Sequence, residues 1–198
     1  MNPICEEQYD ITFRNIFDTP YVQTLREWRN QDFVRKNMTN HAVITPEEHE
    51  EYMRGLEHSS TNKVFLAFYR GEPLAVITMK YNPEENYMEP GMYIINEKFL
   101  GKGFGIVMSY VRLEYIFTCL PEGRMRTLIL EKNQTNRNLQ EKMGCVLTER
   151  IMVQAQNGEE EPACVYYLTR QAWENNKAAI EERIAQNYDL ARIGRIPV

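Results

Sequence analysis

The segment Phe99-Leu100-Gly101-Lys102-Gly103-Phe104-Gly105 sets three alternating glycines between an extended apolar run, Met92 to Ile95, and a long amphipathic one, Phe104 to Phe117. A glycine has no Cβ, so the backbone can approach a ligand closely and present successive amides to it. A helix that begins there adds unpaired N–H groups and the positive end of its dipole, and the two together suit a phosphate. An ordinary Gly-rich turn has the same composition. Two nucleotide-fold alternatives fit worse: the spacing is not Gly-x-Gly-x-x-Gly, and no Gly-Lys-Ser/Thr closes the loop.

The elements that must position this loop come from one chain of 198 residues, long enough for a single domain with a substantial core and short for two. A hydrophobic content of 43% with 26% charged residues is that of a soluble globular protein. A net charge of −5 argues against a nucleic-acid partner and is compatible with a cationic or amine substrate. The N-terminal residues form no basic segment followed by an apolar stretch, and no run approaches the ~20 apolar residues of a membrane helix. A cytoplasmic protein without a membrane partner is expected. Cys5, Cys119, Cys145 and Cys164 are scattered, and the last three lie in apolar runs, as reduced core residues would. His41, His49 and His58 form no ligand pattern, so no metal is expected.

Tyr9 to Arg14 alternates with period two and predicts a first strand. Asp18-Thr19-Pro20 predicts a helix start, running through Trp28-Arg29-Asn30 and breaking near Gln31, with a short piece Phe33 to Met38 after it. Thr45-Pro46-Glu47-Glu48 predicts a second start with a capping box, the helix ending near Gly55 or Leu56. Lys63–Tyr69 and Leu74–Lys80 read as a hairpin, followed by a fourth strand ending at Ile95. After the glycine loop and its helix come a fifth strand, Met125–Leu130, and a polar helix from Asn133 to Met143 closed by Gly144. Cys145–Gln154 and Ala163–Leu168 read as two strands around an Asn157-Gly158 turn. Arg170 to Tyr188 predicts a helix with Trp173, Ile180 and Ile184 inward, before an irregular tail. The whole reads as one α/β domain over residues 1–198, with a C-terminal helix and tail from about 170.

This order of elements resembles the GNAT superfamily of acetyl-CoA-dependent N-acetyltransferases. The family's Arg/Gln-x-x-Gly-x-Gly/Ala loop reads here Leu100-Gly-Lys-Gly103-Phe-Gly105, with Leu replacing the Arg/Gln. Its Asn-x-x-Ala/Ser-x-x-Leu/Val-Tyr-Glu-Lys-x-Gly-Phe segment agrees at Asn133, Leu139, Glu141, Lys142 and Gly144. A third likeness, in Trp28-Arg29-Asn30, Val34-Arg35, Met38 and Ile44 to His49, is similar to a subgroup pattern. Ribosomal-protein N-terminal, polyamine and pseudaminic acid pathway amino-sugar acetyltransferases share it, the last being nearest. The resemblance covers roughly residues 9 to 170.

The resemblance implies a GNAT fold: a mostly antiparallel mixed sheet of about seven strands, splayed between strands 4 and 5, with helices on both faces. It implies acetyl-CoA as co-substrate, held by Leu100, Gly101, Lys102, Gly103, Phe104 and Gly105 and by Asn133. The pantetheine arm would add to the edge at Tyr93, Ile94 and Ile95, with a backbone N–H there (taken as that of Ile94) facing the thioester oxygen. Glu89 is the first candidate for the base and Glu131 the second, with a water chain as an alternative. The position where many relatives keep a general-acid Tyr holds Gln140, and nothing singles out Tyr87, Tyr93 or Tyr110 to replace it. Arg29, Asn30, Arg35 and His49 are the acceptor-site candidates, the arginines suiting a phosphorylated or nucleotide-linked amino sugar. Acetylation of a protein N-terminus or a polyamine, or coenzyme A binding without turnover, stays open, as does a homodimer.

Overall fold

The computed structural model describes residues 8–154 and 160–198; Cys5 and the expected Asn157-Gly158 turn lie outside the described residues. Seven strands, β1 (Ile11–Asn15), β2 (Asn62–Tyr69), β3 (Glu72–Asn82), β4 (Tyr87–Ile94), β5 (Arg124–Leu130), β6 (Val146–Gln154) and β7 (Glu160–Thr169), form one sheet. Their order is β1-β2-β3-β4-β5-β7-β6. Every neighbouring pair is antiparallel except β4 and β5. The apolar run of β2 is buried on both faces: Val64, Leu66 and Phe68 point into one layer, Phe65 and Ala67 into the other.

The helices α1 (Thr24–Asn30) and α3 (Pro46–Glu57) cover the first layer with Leu25, Met53 and Leu56, and the four-residue α2 (Asp32–Arg35) links them. On the other face lie α4 (Phe104–Cys119), α5 (Gln134–Lys142) and α6 (Arg170–Ala185), burying Val107, Met108, Ile116, Met143, Trp173, Ile180 and Ile184. Thr45 caps α3 in a closed box, its hydroxyl accepting from Glu48 N–H while the Glu48 carboxylate accepts from Thr45 N–H. The fold is therefore the α/β arrangement expected, with helices on both sides of a mixed sheet.

The sheet splits where the sequence removes a donor. β3 and β4 pair from Asn82↔Tyr87 to Ala75↔Ile94, whereas β4 and β5 share only Tyr87↔Arg124 and Met88↔Met125. The Ile95 N–H is given to Leu74 O on the β3 side at 3.1 Å. Alternation along the strand then turns the backbone groups of Met88, Pro90, Met92 and Ile94 toward β5. Pro90 has no N–H to offer, and the ladder stops beside it.

Three expectations are corrected. Residues 18–20 do not start the first helix: the Thr19 hydroxyl donates back to Ile16 O at 2.7 Å, closing a 3₁₀ turn at Ile16–Asp18, and α1 begins at Thr24. Cys119, at the last turn of α4, is exposed, while Cys145 and Cys164 are buried. The tail from Ala191 to Val198 keeps the irregular backbone expected of it and is held against β1, with Asp10 N–H to Arg192 O and Gly194 N–H to Ile11 O, each 2.8 Å. Gly194 is required there, because a Cβ would lie 2.9 Å from Ile11 O. The last helix also ends at Ala185, short of Tyr188.

Candidate active site

The glycine loop leaves β4 through a 3₁₀ turn (Glu97–Phe99) and enters α4 with Gly103 as its N-cap. Gly101 and Gly103 have φ of +74° and +83°, left-handed values that a side chain would strain. Among the described residues the amides of residues 101–105 meet no acceptor, and nothing lies within 4 Å of a Cβ at Gly101. The result is a row of free donors on an open surface at a helix N-terminus. Phe104 anchors the loop below, packed edge-on against Phe99 and Tyr69. Tyr188 braces it from the C-terminal segment: its hydroxyl donates to Lys102 O and its ring lies 5.2 Å from that of Phe104. Leu100 and Lys102 are exposed.

Because β4 runs from its paired end toward this loop, the gap between β4 and β5 opens toward the loop. Of Tyr93, Ile94 and Ile95, it is Ile94 whose N–H faces the gap; Ile95 gives its own to β3. Asn133, just past β5, caps α5, its Oδ1 accepting from Asn136 N–H at 3.2 Å.

On the opposite face, α1, α3 and the segment between them roof a cavity of about 320 Å³ over Val64, Val76, Thr78 and Tyr93. Arg29 lines it; Nη2 donates to Asn40 O at 2.6 Å, and Nη1 is buried with no acceptor. Burial, reinforced by Arg35, holds this guanidinium below its ordinary pKa. Burial likewise raises the Tyr93 phenol well above its usual value, despite Arg29 nearby, so it stays neutral. His49 lines the cavity too, with Nε2 3.0 Å from Val22 O. Asn30 does not line it but ties down its wall, exchanging two hydrogen bonds with the Ile44 backbone at 2.8 and 2.9 Å. Arg35 is turned away, donating to Asn30 O, His41 O and Asp32.

The two carboxylates expected to serve as base are ion-paired. Glu89, on the sheet face shared with Tyr93, accepts from Arg126 at 2.5 Å, and Glu131 pairs with Arg150 at 3.2 Å. Gln140 is buried, its amide donating to Asn136 Oδ1 at 3.0 Å and accepting from the Cys145 thiol at 3.5 Å. Tyr110 donates to Glu181, Tyr87 accepts from Asn82, and Tyr93 is the one of the three that lines the cavity. Among the described residues no cluster of His, Cys, Asp and Glu could hold a metal, and no helix is long and apolar enough to cross a membrane.

Sequence reasoning missed Arg26 and Tyr52 on the cavity wall, Tyr188 on the loop, and Arg112 beneath the splay. Only Arg112 left a signal, a charge embedded in the apolar α4.

Solved structures share this architecture. Spermidine N-acetyltransferase from Vibrio cholerae, in complex with CoA and spermine, is 17% identical with a TM-score of 0.74, covering 84% of this chain and 99% of its own. Aminoglycoside acetyltransferase AAC(6')-Ib in complex with coenzyme A is 21% identical with a TM-score of 0.70, over 84% and 99%. An uncharacterized protein from Bacillus halodurans is 12% identical with a TM-score of 0.72, over 87% and 91%. A comparison with curated proteins gave no match. The family model of the acetyltransferase (GNAT) domain matches residues 10–146, more than half of the chain, and the chain belongs to that family.

Proposed function

We propose that residues 1–198 act as one N-acetyltransferase domain, moving the acetyl group of acetyl-CoA directly to the primary amine of a small molecule in a ternary complex. The observation that carries this reading is the splay of β4 from β5, with the Ile94 N–H turned into it and free loop amides at its open end. The residues fit the co-substrate: a phosphate requires the donors that residues 101–105 leave unused, and positive φ at Gly101 and Gly103 keeps that surface bare. Acetyl-CoA supplies an activated acyl carbon and a thiol leaving group. The loop from Leu100 to Gly105 holds the pyrophosphate, and Asn133 borders the gap from the β5 side. Tyr93, Ile94 and Ile95 align the pantetheine arm, and the Ile94 amide donates to the carbonyl oxygen as charge develops there. Holding both reactants in line is worth ~7–11 kcal/mol in such reactions. Glu89, released from Arg126 or acting through water, is the first base and Glu131 the second.

The acceptor enters the cavity beside Tyr93. Its wall carries Arg26, free of any carboxylate among the described residues, and Arg29 with an unused donor; the one lining carboxylate, Glu48, already serves the cap of α3. We therefore favour an amine that also bears an anionic group, as a nucleotide-linked amino sugar does, over a polyamine. Thiol release is to be measured with amino-sugar phosphates, nucleotide-linked amino sugars, an amino acid, spermidine, kanamycin and a short peptide. Turnover is expected with the anionic amines. Arg29→Ala should raise the acceptor KM at least tenfold, as loss of a charge-assisted bond of roughly 1.5–3 kcal/mol requires, and leave the acetyl-CoA KM unchanged. Rapid turnover of spermidine or the peptide, with none of the anionic amines, would overturn the acceptor assignment. Binding of coenzyme A without thiol release from any amine would favour a non-catalytic module.

A further inference from the structure

The glycine loop is held from a distant part of the chain. Tyr188 stands 86 residues beyond Lys102 in sequence, and its hydroxyl donates to the Lys102 carbonyl. Its ring lies 5.2 Å from that of Phe104 and 3.5 Å from where a Cβ on Gly103 would stand. Burial raises the pKa of the phenol, with Tyr69 adding to the effect, so the hydroxyl keeps its proton and remains a donor at neutral pH. Lys102 and Gly103 are both exposed. Water could serve that carbonyl equally well, so the bond adds little to the stability of the fold.

Tyr188 is itself held on both sides. Its N–H donates to Ile184 O at 2.9 Å, continuing the last turn of α6, which Trp173, Ile180 and Ile184 anchor in the core. Four residues further on, Arg192 pairs with Asp10 beside β1. The hydroxyl is therefore presented from a fixed point.

What it fixes is a direction. The Lys102–Gly103 peptide is trans and planar, so its C=O and N–H point opposite ways. Glycine restrains φ at residue 103 only loosely, and the plane could turn over if nothing outside the loop held it. With Lys102 O turned to Tyr188, the Gly103 N–H is turned away from the C-terminal segment, and it meets no acceptor among the described residues.

We propose that Tyr188 is a positioning residue for the coenzyme: it holds the 102–103 peptide so that the Gly103 N–H is aimed at the pyrophosphate before the coenzyme arrives. This rests on the acetyl-transfer reading above. A donor aimed in advance needs no ordering on binding, so the effect falls on affinity for the phosphate end. Tyr188 takes no part in moving the acetyl group.

The test reads that amide. The full chain, labelled with ¹⁵N-glycine, is titrated with coenzyme A and separately with pantetheine, which has the same thiol arm and no pyrophosphate. Tyr188→Phe keeps the ring against Phe104, so the fold stands, and removes only the hydroxyl. In the wild type coenzyme A should move the Gly103 amide proton downfield, and pantetheine should leave it in place. In Tyr188→Phe the Kd for coenzyme A should rise about fivefold, as the loss of one neutral hydrogen bond predicts, with a smaller Gly103 shift at saturation. An unchanged Kd overturns the proposal. So does a weaker Kd with the Gly103 shift intact, because the loss would then not pass through that amide. Failure of the wild type to bind coenzyme A removes the acetyl-transfer reading, and this inference with it.

Discussion

Gly103 shapes the loop through its backbone alone. Its φ of +83° is one that valine resists, and a branched side chain would stand between the free amides and a pyrophosphate. Gly103→Val should abolish the rise in Tm that coenzyme A gives the wild type by mass action. An unchanged shift would exclude the loop as the coenzyme site. Gln140 makes the opposite case. Its amide is occupied by Asn136 and Cys145, so Gln140→Ala should leave turnover within about tenfold, since a general acid contributes ~10² to 10⁴. A thousandfold loss with folding intact would make it catalytic. The tight turn at Gly101 and Gly103 and the helix cap at Asn133 were legible in the sequence because each is set by its own backbone or the next turn. Arg29 and Arg35 could not be told apart: both lie in one short stretch, and only the return of the Asn40–Ile44 segment shows that Arg35 is spent on Asn30, His41 and Asp32.

Elements follow the same division between local and distant causes. The capping box of α3 was legible because Thr45 and Glu48 are three residues apart; Thr45→Ala should cost about 1 kcal/mol in denaturant unfolding. The start of α1 was misread because Thr19 bonds backward to Ile16, a choice that composition does not reveal. The splay was expected from resemblance, whereas its local cause is Pro90. Restoring an N–H there with Pro90→Val lets β4 and β5 pair further. Melting curves should show a higher Tm for the free chain and a smaller shift with coenzyme A; a lower Tm with the coenzyme shift intact would assign Pro90 another role.

At the scale of the molecule, the two ends of the chain are fastened together. Hydrogen bonding to Arg192 draws the Asp10 carboxyl below its ordinary value of 3.8, against the opposing effect of burial and with help from Arg70. A carboxyl depressed in the folded state gives its full stabilisation above that ordinary value and loses it as pH falls through the folded one. Tm should therefore drop below about pH 4 less steeply in Asp10→Asn than in the wild type. An identical acid limb in both would deny the pair any part in stability. None of this was legible in a tail with no periodicity, because its partners lie more than 180 residues away. The fastening has a consequence for how copies of the chain meet one another. β1 is the last strand on its side of the sheet, and without Arg192 and Gly194 beside it the Asp10 N–H and the Ile11 carbonyl would be left bare where the strand starts, a foothold on which a second chain could pair. A chain ended after Tyr188 should keep its loop brace yet elute in sizing chromatography as concentration-dependent assemblies. The final ten residues are then a guard against self-association.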